Sequence, residues 1–188
     1  MKARVPFHNH VVAALLALHF AATPALAQDK AKLDGLFERL QAAQDAGEAG
    51  RIESEILIEW SKSGSAAMDL LYQRGTDALA LGNGAAAVEH LTAVIDHAPD
   101  FAAAYDARAA AYYVTGDIGP ALADLAHVLT VEPRHFAALA GLGAILEETG
   151  QKEKALAAYR MAAEIHPHLA DVKAVIGRLA AELEGRDL

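Results

Sequence analysis

Apolar positions in this chain fall at helical spacing, and the breaks between them fall at a fixed interval. Leu33, Leu36, Phe37 and Leu40 form one stripe, and Ile52, Ile56 and Trp60 begin a second. Leu169, Val172, Ile176, Leu179 and Leu183 form another near the carboxyl end. Residues three and four apart share a helix face, so each stripe marks an amphipathic helix. Asp171, Lys173, Arg178, Glu182 and Glu184 lie off the last stripe and give that helix a wet outer side. In between, Pro99, Pro133 and Pro167 stand 34 residues apart, and Gly82, Gly116 and Gly150 keep the same interval. So do Ala87, Ala121 and Ala155, and likewise Gly75, Ala109 and Gly143. Leu91, Leu125 and Tyr159 follow suit, as do Leu71, Tyr105 and Leu139. A fixed period of this length marks stacked supersecondary units.

Each repeated glycine falls where a helix ends and a left-handed residue is wanted. Each repeated proline falls where the next helix must stop, because it cannot continue the hydrogen-bond ladder. This punctuation predicts helices over 68–81, 84–97, 102–115, 118–131, 136–149 and 152–165. The small residues at 75, 109 and 143, and the alanines at 87, 121 and 155, allow close helix crossings. Asp100 can cap the helix that starts near Phe101.

On these residues the chain resembles the tetratricopeptide repeat (TPR) family, a helix–turn–helix of 34 residues. The matching units are 68–101, 102–135 and 136–169, with leucine or tyrosine in place of the usual tryptophan near the start of a unit. The resemblance implies an all-α, right-handed solenoid of helical hairpins, 66–169, closed by a capping helix and short tail over 170–188. Upstream, residues 28–65 read as a degenerate repeat, with helices over 30–45 and 51–62 and a linker Ser61-Lys62-Ser63-Gly64-Ser65. An independent hairpin is the alternative for that segment.

Residues 1–27 are built differently. Lys2 and Arg4 give a positive start, an apolar run spans Val11–Ala22, and Ala25-Leu26-Ala27 follows Pro24. That is the layout of a secretory signal, cleaved after Ala27. The run is short of the roughly 20 residues needed to span a bilayer. Export is therefore expected, to a bacterial periplasm ahead of secretion, with no membrane insertion after cleavage.

Composition narrows the partners. The 188 residues are 54% hydrophobic and carry a formal charge of −9. An acidic body repels phosphate backbones, which speaks against nucleic acid. Cysteine is absent, which removes disulfides, thiol catalysis and thiolate metal sites.

Catalytic chemistry is not legible. Ser61, Ser63 and Ser65 lack the strand-to-helix elbow of a nucleophile. Gly82-Asn83-Gly84 lacks the strand context of a phosphate loop. His135, His166 and His168 sit at equivalent turns and invite a metal reading, but no carboxylate completes a ligand set, so solvated turn histidines are expected. The expectation is a chain without enzymatic activity, cofactor or metal.

The remaining candidate is the face that the resemblance assigns to partner binding, lined by the first helix of each unit. It would comprise Asp69, Tyr72, Thr76 and Leu79, then Ala103, Asp106, Ala110 and Tyr113, then Ala137, Ala140, Ala144 and Glu147. Tyr72 and Tyr113 are the expected anchors, and Asp69, Asp106 and Glu147 favour a basic or hydrogen-bond-donating segment. Some family members hold acidic carboxy-terminal peptides through lysine and asparagine; neither stands at these positions. The implied function is a protein-interaction scaffold of the cell envelope, monomeric, with a protein or peptide partner. A self-associating structural or regulatory subunit is the alternative, and a merely tolerated surface is the bland reading of the stripe.

Overall fold

The computed structural model describes residues 24–185, with side chains from residue 30 onward. Described residues form helices α1 (Pro24–Ala42), α2 (Ala46–Trp60), α3 (Ala66–Ala80), α4 (Gly84–His97), α5 (Ala102–Thr115), α6 (Ile118–Val131), α7 (Phe136–Glu148), α8 (Lys152–Ile165) and α9 (Ala170–Glu184). No strand occurs among them. The apolar run 11–22 and most of the expected leader lie outside the described residues, although α1 begins at Pro24.

Helices α3 to α8 form three hairpins, ended in the same way each time. Gly82, Gly116 and Gly150 have φ of +75°, +84° and +77°. Each donates its N–H back into the last turn, and the next residue reaches one carbonyl further back: Asn83 to the Ala78 carbonyl, Asp117 to Tyr112, Gln151 to Leu146. These bonds satisfy carbonyls that a helix end would otherwise leave bare, and the left-handed residue costs least as glycine.

In the first and third hairpins the crossing is close because one side lacks a side chain, and in the middle one that position holds the small Ala109. A Cβ on Gly75 would lie 2.6 Å from the Leu91 side chain, and one on Gly143 would lie 2.9 Å from the Tyr159 ring. Ala87, Ala121 and Ala155 are fully buried on the second helices. Arg108 ties three helices together: it forks onto both Asp124 oxygens at 2.8 Å and donates to Thr92 Oγ1 at 3.0 Å. That buried fork holds the guanidinium firmly charged, chiefly through its bonds to Asp124. At the carboxyl end, α9 seals the stack with Val172 and Leu179, while Arg178 pairs outward with Glu147 and Glu182.

The amino-terminal pair does not continue the stack. In α5, Ala103, Ala107 and Ala111 pack in one buried cluster with α4. Their counterparts 34 residues earlier in α3 are Asp69, Gln73 and Asp77, with Gln73 and Asp77 exposed. Polar groups there cannot be buried against another helix without losing their water. The hairpin α1–α2 lies instead along the turns that join successive units. Asp34 accepts from Arg134 at 2.8 Å, and the Arg134 guanidinium sits 4.3 Å from the Phe37 ring centre. Gln41 Nε2 donates to the carbonyls of Glu164 and Ile165. Leu36, Phe37, Leu40, Ile52 and Ile56 form one core with Phe136. The pair thus packs on these turns rather than on α3.

This docking corrects the expectation for the turn histidines. His135 and His166 are each only 2% exposed. The Trp60 indole stacks on His135 with centroids 4.1 Å apart, and His166 meets Phe136 edge-on at 5.1 Å. His166 Nε2 lies 3.2 Å from Glu53, and His168 Nε2 lies 3.0 Å from the Ala43 carbonyl. The polar turn residues are thus covered by the hairpin.

Two outcomes follow from this packing. Ala121→Leu is expected to cost about 1–3 kcal/mol by overpacking a closed crossing. Ala85→Leu, on an exposed position of α4, is expected to change the urea midpoint hardly at all. Equal midpoints for the two variants would contradict the assigned crossing. The second outcome concerns pH. Burial holds the His135 pKa below its ordinary value, partly countered by Asp106. Below about pH 6.5 the unfolded chain binds a proton that folded His135 refuses, so stability is full above that pH and falls on acidification. Burial raises the Asp106 carboxyl pKa, which acts in the opposite sense at lower pH. His135→Asn keeps a side chain able to cap α7 and is expected to flatten the loss between pH 7 and 5.5 in denaturant titrations. An unchanged slope would place the acid sensitivity elsewhere.

Candidate functional site

The face formed by α3, α5 and α7 carries the expected stripe, and the structure divides it into two hollows that share one residue. The first, of ≈ 220 Å³, lies between α5 and α7. Asp106, Ala110 and Tyr113 form one wall, Ala137, Gly141 and Ala144 the other, and Leu125 and Ile145 contribute from the core beneath. Its origin is local: small residues on two facing helices leave room that leucines would fill. Its surface is apolar apart from Asp106 and the Tyr113 hydroxyl.

The second hollow lies at the amino-terminal end of the face. Tyr72 and Thr76 of α3, Ala103 and Asp106 of α5 and His135 line one side; Leu57, Ile58 and Trp60 of α2, with Ser61 just after it, line the other. Leu57 and Ile58 are 44% and 57% exposed. The docked hairpin thus supplies a wall that the repeat alone does not possess. The contribution of α2 has no trace in the 34-residue period, and the missing signal is the register of a long-range docking.

The acidic residues of the stripe do not behave alike. Asp69 is taken by the linker, accepting from the Ser63 N–H at 2.7 Å and from Ser63 Oγ at 2.6 Å. Glu147 is taken by Arg178 of α9. Neither lines a hollow. Glu148 accepts from the Tyr113 hydroxyl at 2.8 Å, and this bond raises the Tyr113 pKa. Asp106 is the exception. It accepts no hydrogen bond among the described residues, and its nearest partner is His135 Nδ1 at 4.0 Å. That nitrogen already accepts from the Ala138 N–H at 3.1 Å, so it has no proton to offer Asp106 in the neutral ring. Burial accordingly raises the Asp106 carboxyl pKa.

The two tyrosines differ as well. Tyr113 is exposed at the mouth of the first hollow. Tyr72 packs edge-on to Phe101, with centroids 5.1 Å apart, and burial pushes its hydroxyl pKa to about 12. Tyr72 therefore serves the core of the first unit as well as the wall of the second hollow. Leu79 turns into that same core, and Ala140 packs toward α8 and α9.

Among the described residues no group of three or more His, Asp or Glu side chains is disposed to hold a metal ion. No described helix is long and apolar enough to cross a membrane.

Comparison with known proteins agrees with this architecture. No protein-family model matches the chain. A TPR repeat-containing protein of Rhizobium etli is 36% identical over 156 residues, covering 83% of this chain and 76% of the relative. That alignment is longer than α3–α9, so it extends into the flanking residues. Among solved structures, MamA superposes with a TM-score of 0.60 at 21% identity, covering 85% of each chain. The Sgt2 TPR domain of Aspergillus fumigatus gives 0.61 at 22% identity, covering 65% of this chain and 83% of its own. The first TPR of RPAP3, bound to the HSP90 peptide SRMEEVD, gives 0.59 at 19% identity, covering 62% of this chain and 93% of its own. The glycine-ended hairpins, the alanine crossings and the length of the Rhizobium match together establish that this chain belongs to the TPR repeat-containing proteins.

Proposed function

We propose that this chain is a non-catalytic protein-interaction module of the cell envelope, holding a partner segment on the face of α3, α5 and α7. The carrying observation is the open apolar hollow between α5 and α7, rimmed by Tyr113 and Asp106. An exposed concavity with one aromatic and one underpartnered polar group is suited to an inserted side chain. Two solved TPR structures point the same way: the RPAP3 domain bound to an HSP90 peptide and the Sti1 domain in complex with an Hsp70 species. Self-association by continued stacking is disfavoured by Asp69, Gln73 and Asp77 on the open end of α3. Export rests on Lys2, Arg4, the 11–22 run and Ala25-Leu26-Ala27. Cleavage after Ala27 would remove the first turn of α1 and leave every docking residue from Leu33 onward in place.

Two measurements test the reading. In the native host, mass spectrometry is expected to find Gln28 as the first residue of the mature protein; mature material that retains Met1 would overturn export. For the face, Ala110 is exposed at the hollow, so Ala110→Phe fills it at a stability change within about 0.5 kcal/mol. A partner recovered from an envelope extract is expected to bind that variant at least about tenfold more weakly, since blocking an anchor pocket commonly costs ~2 kcal/mol. Unchanged affinity for both Ala110→Phe and Tyr113→Ala would move the site off this face.

A further inference from the structure

Asp106 belongs to both hollows, and every other acidic side chain expected on the stripe already has a partner. We propose that the partner segment delivers a lysine or arginine to Asp106, with apolar side chains before and after it. One apolar side chain would enter the hollow of Ala110, Tyr113 and Ala144; the other would lie against Leu57, Ile58 and Trp60. The proposal rests on the reading of the α3–α5–α7 face as the binding surface, and it specifies what that surface selects.

Asp106 lacks a donor from the described residues of the protein. Its side chain keeps 31% of its surface, so water reaches it. A carboxylate that has lost part of its water and accepts no hydrogen bond from the protein still gains from a fixed donor. His135 cannot be that donor while its Nδ1 caps α7. A neutral hydroxyl or amide could fill one lone pair, but a cationic group also offsets the charge. The chain's net charge of −9 steers basic segments toward it and opposes acidic ones. The RPAP3 peptide SRMEEVD carries two glutamates and an aspartate against one arginine, so its net charge is opposite to the one favoured here. The spacing is favourable too. The two apolar hollows lie on either side of the carboxylate, so an extended or helical segment can place alternate groups in all three.

The probe is a library of random dodecapeptides displayed on phage and selected on full-length wild type, on Asp106→Asn and on Ala110→Phe. Asparagine is an uncharged isostere at a place where charge is already disfavoured, so Asp106→Asn is expected to fold and to melt no earlier than wild type. Peptides enriched on wild type are expected to share a lysine or arginine between aliphatic residues, and Asp106→Asn is expected to lose that preference. One enriched peptide is then synthesised with its central basic residue and with norleucine, and binding is read from the fluorescence of Trp60, the chain's single tryptophan. The norleucine change is expected to weaken binding to wild type by roughly tenfold to a hundredfold and to leave binding to Asp106→Asn nearly unchanged. SRMEEVD is expected not to bind. Peptides that bind, are blocked by Ala110→Phe and show no basic preference would overturn the basic-residue proposal while keeping the face. Selection of no peptide, or of peptides indifferent to Ala110→Phe, would overturn the face and the proposal together.

Discussion

The contact between Trp60 and His135 decides where the hairpin of α1 and α2 goes. The indole and imidazole lie 4.1 Å apart and nearly parallel, with Phe37 and Phe136 packed at 5.9 and 5.4 Å from the same indole. Offset aromatic pairs contribute about 0.5–1.5 kcal/mol each beyond the area they bury. The larger contribution is geometric: with Trp60 seated on the α6–α7 turn, α1 and α2 run along the remaining turns, and Leu36, Leu40, Ile52 and Ile56 find cover. Two helices of this length would be marginal alone. Once docked, they place Leu57 and Ile58 beside α3 and α5, and so shape half of the candidate site.

The solenoid itself depends on smallness. Glycine at 75 and 143 admits Leu91 and Tyr159 into direct backbone contact, and alanines at 87, 121 and 155 keep the second helices close. The same preference produces the hollow between α5 and α7, where Ala110, Ala137, Gly141 and Ala144 face one another without a large side chain between them. One residue class thus supplies both tight crossings and a vacancy. The difference is position: crossings lie between the two helices of a hairpin, whereas the hollow lies between first helices of neighbouring hairpins.

The repeat was legible because its determinants are local and recur. A glycine that must be left-handed and a proline that must end a helix leave marks at fixed offsets, and the resulting helix limits fall within a few residues of those observed. Helical spacing also placed Asp106, Ala110 and Tyr113 on one stripe of α5 and Ala137 and Ala144 on one stripe of α7, and these residues line one hollow. What escaped was everything non-local. The pairs Asp34–Arg134, Glu53–His166 and Gln41–Ile165 join residues about a hundred or more positions apart, and no periodicity encodes them. The sequence did hold a clue. Asp69, Gln73 and Asp77 stand where the next unit has buried alanines, which marks α3 as the end of the stack. Turns are usually solvated, but here His135, His166 and His168 carry the docked hairpin. Nor could sequence separate Asp106 from Asp69 and Glu147, because the distinction lies in which carboxylates find a donor.

Docking of the hairpin on the turns is the claim from which the second hollow, the buried histidines and the shared position of Asp106 all derive. Because Trp60 is the only tryptophan, its indole protons can be assigned without ambiguity in a nuclear Overhauser spectrum of the full chain. The account requires strong cross-peaks from the indole to the His135 and Phe136 rings. Cross-peaks from the indole to Leu70 and Gln73 of α3 instead, as a stacked repeat would give, would contradict it.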